Sequence, residues 1–192
     1  MTIRRLAVLL GGIVAATLLP SAYSQPSAEA EHQRRFEEFQ AFVKKAVGEN
    51  AVVSPEGFGR TVPGSAITMI RKNADDESPK IFAVTIAPNG VGVSLGFIRY
   101  GDCTSGSPSA PTEQFIKVDG QKIAALYACK PEPSKPGAYR NVYVPKSQEA
   151  LVFIRKRFAL ARYVYVELDN FTMPFNTEGF EKTWAEADGV AL

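Results

Sequence analysis

Arg155, Lys156 and Arg157 stand side by side, Arg162 and the tyrosines Tyr163 and Tyr165 follow shortly, and Arg140 and Lys146 lie just upstream. Cations interleaved with aromatic rings can hold anions, since guanidinium and ammonium groups meet carboxylate or sulfate while the rings supply contact area. The cluster also has a plainer use, because cations in the last turn of a helix are favoured by its dipole. As a site it would suit an anionic envelope polymer or an acidic protein partner.

Other side chains offer other chemistry. Cys103 and Cys129 are the two cysteines, and outside a reducing compartment a disulfide is expected. A catalytic thiol is the rival reading, but no C-x-x-C pair is present and His32, the single histidine, is far away in sequence. His32 falls among Glu29, Glu31, Arg34 and Arg35, where an exposed side chain is expected. The chain lacks H-E-x-x-H and a phosphate loop, the usual marks of zinc proteases and nucleotide binders. A distant Asp or Glu pair could still serve a glycoside hydrolase. Asp75-Asp76-Glu77 reads as a solvated turn, lacking the alternating ligands and glycine bend of a calcium loop. Asn170-Phe171-Thr172 matches a glycosylation acceptor, a short motif of little weight beside a bacterial-type export segment. No catalytic residue, cofactor or metal is expected.

Residues 1–24 read as an export signal: Arg4 and Arg5, an apolar stretch from Leu6 to Leu19, then Ala22-Tyr23-Ser24 before Gln25. The apolar stretch is short of the roughly 20 residues of a membrane span, so no stable span is expected after cleavage. The expected location is periplasmic or secreted. The chain holds 22 basic and 20 acidic residues; residues 1–24 hold two basic and no acidic ones, leaving 20 against 20. The remaining 25–192 is neutral overall, which argues against nucleic acid as a partner, and its length suits a single extracytoplasmic domain.

The elements that must position these groups follow from periodicity. From Ala28 to Val47, Phe36, Phe39, Val43 and Val47 recur at helical spacing, Phe42 broadens the apolar face, and Gly48 is a stop. Residues 81–86 and 91–98 alternate about Pro88-Asn89-Gly90, a hairpin signal, with glycines on one face of the second strand where the protein's own helix or an aromatic side chain is expected. A second hairpin runs from Phe115 through Asp119-Gly120 to Cys129. Residues 102–112 between them form a Ser/Pro/Gly-rich loop whose Ser105, Ser107, Pro108 and Ser109 could insert into a target's cleft, and residues 130–137 form another loop. Ser147 caps a helix reaching Ala159 with Leu151, Ile154 and Phe158 on one face. Strands follow at 162–168 and 171–175, and Asn176-Thr177 is expected to cap a last helix holding Phe180 and Trp184. The fold class is α+β: an antiparallel β-rich domain, sandwich or curled sheet, with an N-terminal amphipathic helix and two helices in the C-terminal half.

The export signal, the Val118-Asp119-Gly120 turn, Cys129 closing the following strand, and Phe171-Thr172 with Glu178-Gly179-Phe180 together resemble the invasion-associated locus B family of small secreted bacterial proteins over about residues 80–187. Family members generally carry more cysteines in the middle region than the two here. The resemblance implies a β-rich extracytoplasmic protein of the cell envelope or host contact, without established catalysis. The leading functional expectation is therefore a non-enzymatic binding protein of the envelope. The alternatives are an inhibitor or immunity-type protein blocking an envelope-degrading enzyme or toxin, and a carboxylate-dependent hydrolase.

Overall fold

The computed structural model describes residues 27–88, 93–101, 103, 110–132, 138–169 and 171–189. The export segment, the Asn89-Gly90 turn, Asn170, and Ser105, Ser107, Pro108 and Ser109 of the candidate binding loop lie outside the described residues.

Helix α1 spans Ala28–Val47, opened by Ser27, whose hydroxyl accepts from the Ala30 amide, and closed at Gly48 with φ +138°. Its polar face is laced by Arg34 to Glu31 and Glu38. Phe39 and Val43 are buried, but Phe42 is 63% exposed; the buried stripe is narrower than the sequence suggests.

Nine strands follow: β1 Val52–Glu56, β2 Ser65–Arg71, β3 Lys80–Pro88, β4 Val93–Tyr100, β5 Thr112–Val118, β6 Gln121–Pro131, β7 Tyr139–Pro145, β8 Tyr163–Leu168 and β9 Phe171–Asn176. Helix α2, Gln148–Leu160, joins β7 to β8, and α3, Phe180–Ala187, closes the described chain. All pairings are antiparallel in the order β1-β2-β3-β4-β7-β6-β5-β8-β9. Strands β4 to β7 form a Greek key, since β7 returns beside β4 after the β5-β6-β7 meander.

The sheet curls until its ends nearly meet, so the curled-sheet expectation holds and the sandwich does not. Thr68 of β2 donates to the Pro174 carbonyl of β9 across the seam. The edge strands each carry a proline, Pro55 in β1 and Pro174 in β9, which removes a ladder donor and suits an edge. Helix α1 covers the same region: Phe36 stacks on Tyr163 of β8 at 5.1 Å, while the helix also touches β1. A covered edge cannot template pairing with another chain.

The register sorts the barrel interior into rows. Val84, Phe97, Tyr143 and Tyr127 face one another across β3, β4, β7 and β6, and all are buried. Towards one end, Phe58, Phe158 and Phe180 pack edge-to-face or tilted, with centroids 5.3–6.0 Å apart, and α2 and α3 close that end. Towards the other end the next row is Phe82, Arg99, Asn141 and Cys129, and the interior turns polar.

Cys103 and Cys129 form a disulfide with their Cα atoms 5.8 Å apart, tying the β4–β5 connection to the end of β6. The last helix starts differently from expectation. Its N-cap is Gly179, with φ +82°, where a Cβ would stand 2.8 Å from the Phe58 carbonyl oxygen. Asn176 accepts from the Glu178 amide, and Thr177 donates to the Ala161 carbonyl; both tie the turn down without capping the helix.

Candidate functional site

The basic and aromatic residues singled out above divide among several places. Arg157 lies at the end of α2, where its Nε and Nη2 donate to Asp119 Oδ2 at 2.9 and 2.7 Å. Asp119 occupies the β5–β6 turn with φ +48° beside Gly120 at +84°, the positive pair a two-residue hairpin turn requires. Its other oxygen accepts from the Tyr165 amide at 3.1 Å, and Arg35 of α1 approaches it at 3.5 Å. Arg35 also lies over the Tyr165 ring, 4.0 Å from its centroid, and burial raises the Tyr165 hydroxyl to a pKa of about 12. Arg157 is therefore taken up by Asp119, and Tyr165 is buried beneath Arg35 of α1. Tyr163 is stacked on Phe36, and the exposed Arg162 lies over Tyr163 and reaches Glu29 at 3.4 Å.

Arg140 projects from the outer face of the sheet, opposite Lys130 on β6 and Tyr100 on β4. A shallow groove of about 240 Å³ runs there past Gly96. A Cβ at Gly96 would meet only strand neighbours at 3.9–4.0 Å, so neither a helix nor an aromatic ring fills the space expected to be covered. Lys156 is exposed on α2.

Lys146 and Arg155 do converge. They line a groove of about 430 Å³ with Ser94, Ser147, Gln148 and Trp184. The end of β7 presents Lys146, the first turns of α2 present Gln148 and Leu151, and α3 supplies Trp184. Ser147 starts α2 by accepting from the Ala150 amide, which fixes where that turn points. The Arg155 guanidinium carbon lies over the Trp184 indole, 4.9 Å from the ring centroid; this holds a long side chain in place beside the groove. Lys146 also meets Glu113, an exposed pair that salt weakens. The groove thus offers the Arg155 and Lys146 cations and the Asp188 carboxylate beside hydroxyl and amide groups.

His32 is half-buried rather than exposed, one turn from the Asp119 cluster, and its Nδ1 has no partner among the described residues. Asp76 accepts from the Lys72 and Ser78 amides, which hold its carboxyl below the usual range; the acidic run is a self-bonded turn. Among the described residues no three His, Cys, Asp or Glu side chains gather to hold a metal, and no helix is long and apolar enough to cross a membrane.

Sequence reasoning missed Arg35, Arg99, Trp184 as a groove residue, and Asp169. Asp169 turns between β8 and β9 with φ +46°, accepts from the Tyr143 hydroxyl and pairs with Arg99 at 3.2 Å. Burial, with that bond to Asp169, drives the Tyr143 hydroxyl far above the ordinary tyrosine value. Only the strand register could have signalled this group, by placing Arg99 on an inward-facing position.

Comparison with protein-family models, curated proteins and solved structures finds no match to this chain.

Proposed function

We propose that this is an exported, non-enzymatic binding protein of the bacterial cell envelope, which holds an acidic polysaccharide in the groove between β4, β7, α2 and α3. The groove carries the reading: Lys146 and Arg155 line it together with Ser94, Ser147 and Gln148. Acidic sugars present carboxylates for the cations and hydroxyls for the neutral polar groups. Arg155 is pre-positioned by Trp184, which lowers the ordering cost on binding. The export-type N-terminus and the Cys103–Cys129 disulfide support an oxidising location, and the resemblance to the invasion-associated locus B family points the same way.

Calorimetric titration with alginate, a polyuronate, against neutral dextran tests the reading. Alginate should bind with an affinity that falls as salt rises, and Lys146→Gln with Arg155→Gln should weaken it about tenfold. Equal binding of dextran, or full affinity in the double variant, would contradict it.

A further inference from the structure

The opposite end of the barrel carries a second, chemically different cavity, of about 400 Å³, lined by Lys80, Phe82, Arg99, Cys103 and Phe171 among others. That volume lies within the roughly 300–1,000 Å³ of small-molecule sites, which occur at the mouths of β-barrels. We infer that this mouth binds a small aromatic carboxylate, with the carboxylate against Arg99 and Lys80 and the ring against Phe82 and Phe171.

Register and charge carry the inference. Arg99 sits in an inward row directly between Phe82 and Asn141, and its side chain is only 18% exposed. An arginine cannot shed its charge and has five N–H donors to place. Among the described residues it meets one carboxylate, Asp169, which already accepts from Tyr143, and its Nε has no acceptor. Lys80 has no carboxylate partner among the described residues; its ammonium lies 5.6 Å from the Phe171 ring centroid. Among the described residues the cavity therefore holds two cations against one shared anion, an excess that favours an anionic ligand. A planar carboxylate matches the fork of a guanidinium.

The rest of the floor is built and satisfied. Tyr127 donates to Asn141 at 2.8 Å, and Asn141 Nδ2 reaches the Arg99 carbonyl at 3.4 Å. These bonds fix the backbone that carries Arg99. Phe82 and Phe171 stand 6.4 Å apart with rings tilted by 43°, an open wedge rather than a closed stack, and Phe171 is 40% exposed. An aromatic body would cover that surface while its acid group turns inward. The inference is independent of the groove at Lys146 and Arg155, which lies at the other end of the barrel.

Fluorescence-detected or calorimetric titration of the full protein with 3-phenylpropionate, benzoate and indole-3-acetate tests it, with 3-phenylpropanol and inorganic phosphate as controls. At least one carboxylate should bind, the alcohol at least tenfold more weakly, and phosphate alone less well than the aromatic acid. Lys80→Gln, at an exposed strand end, should weaken binding several-fold without moving the melting temperature, and Phe171→Ala should do likewise. Arg99→Gln should abolish binding; if it fails to fold, the Lys80 and Phe171 variants decide. No binding by any of the three acids, equal binding of the alcohol, or unchanged affinity in both Lys80→Gln and Phe171→Ala would overturn the inference.

Discussion

Arg157 on α2 grips Asp119 in the β5–β6 turn through two nitrogens, at 2.9 and 2.7 Å, and so fastens a helix to a hairpin turn 38 residues earlier in the chain. Asp119 is only 6% exposed while its arginine partners are about a third exposed. The carboxylate is the buried partner, and its removal strands two cations.

Asp119→Asn keeps a residue that tolerates positive φ and can still accept from the Tyr165 amide, so it isolates the charge. It should lower unfolding free energy by about 2–3 kcal/mol, within the range for losing charged hydrogen bonds. Urea denaturation measures this. Arg157→Gln should cost more than Arg35→Gln, because the Arg35 contact is longer at 3.5 Å, and a double-mutant cycle with Asp119→Asn should show coupling for Arg157.

Gly179 and Gly120 both have positive φ, +82° and +84°. Alanine at either adds backbone strain of about 1 kcal/mol. At Gly179 it also drives a Cβ to 2.8 Å from the Phe58 carbonyl, whereas nothing lies within 4 Å at Gly120. Gly179→Ala should therefore destabilise by roughly 3 kcal/mol or more and Gly120→Ala by about 1, read as separate midpoints in the same denaturant series.

Such positions show how far the amino-acid pattern reaches. Local signals were legible: Gly48 as a helix stop, Ser147 as a cap, Asp119-Gly120 as a turn, and the alternation of β6 from Ile123 to Cys129. Strands β1, β2 and β7 were not. In β2 both faces are largely covered, so Ser65 to Arg71 lacks a clean period of two; β1 is short and contains Pro55, and β7 follows a proline-rich stretch that masks it. The site suffered more. A run such as Arg155-Lys156-Arg157 looks like one patch in a sequence, but on a helix neighbouring residues point about 100° apart, so the three serve a groove, solvent and an internal ion pair. Groups joined only by long-range register, such as Arg99, Asn141 and Asp169, leave no local trace.

The disulfide closes a span of 26 residues. Replacing both Cys103 and Cys129 with serine should cost roughly 3 kcal/mol in the chain-entropy account. Equal thermal midpoints for the wild type with and without reductant would contradict a stabilising role.

Two tyrosines should resist ionisation. Burial raises Tyr165 to about 12 and Tyr143 higher still, against an ordinary value of about 10. The folded state then holds these protons more tightly than the unfolded chain does. Their contribution to stability is present below about pH 10 and is lost as pH rises through the folded values. Absorbance titration should show a late ionisation near pH 12 accompanied by loss of secondary structure, and Tyr165→Phe should remove that step.

The central claim, that the groove at Lys146 and Arg155 is the binding surface, is tested most directly by amide chemical-shift mapping during titration with alginate oligomers. Shifts should concentrate at Ser94, Leu95, Val144, Ser147, Gln148 and Leu151 and saturate with a single affinity. Shifts confined to the Lys80–Arg99 end of the barrel, or none at all, would contradict it.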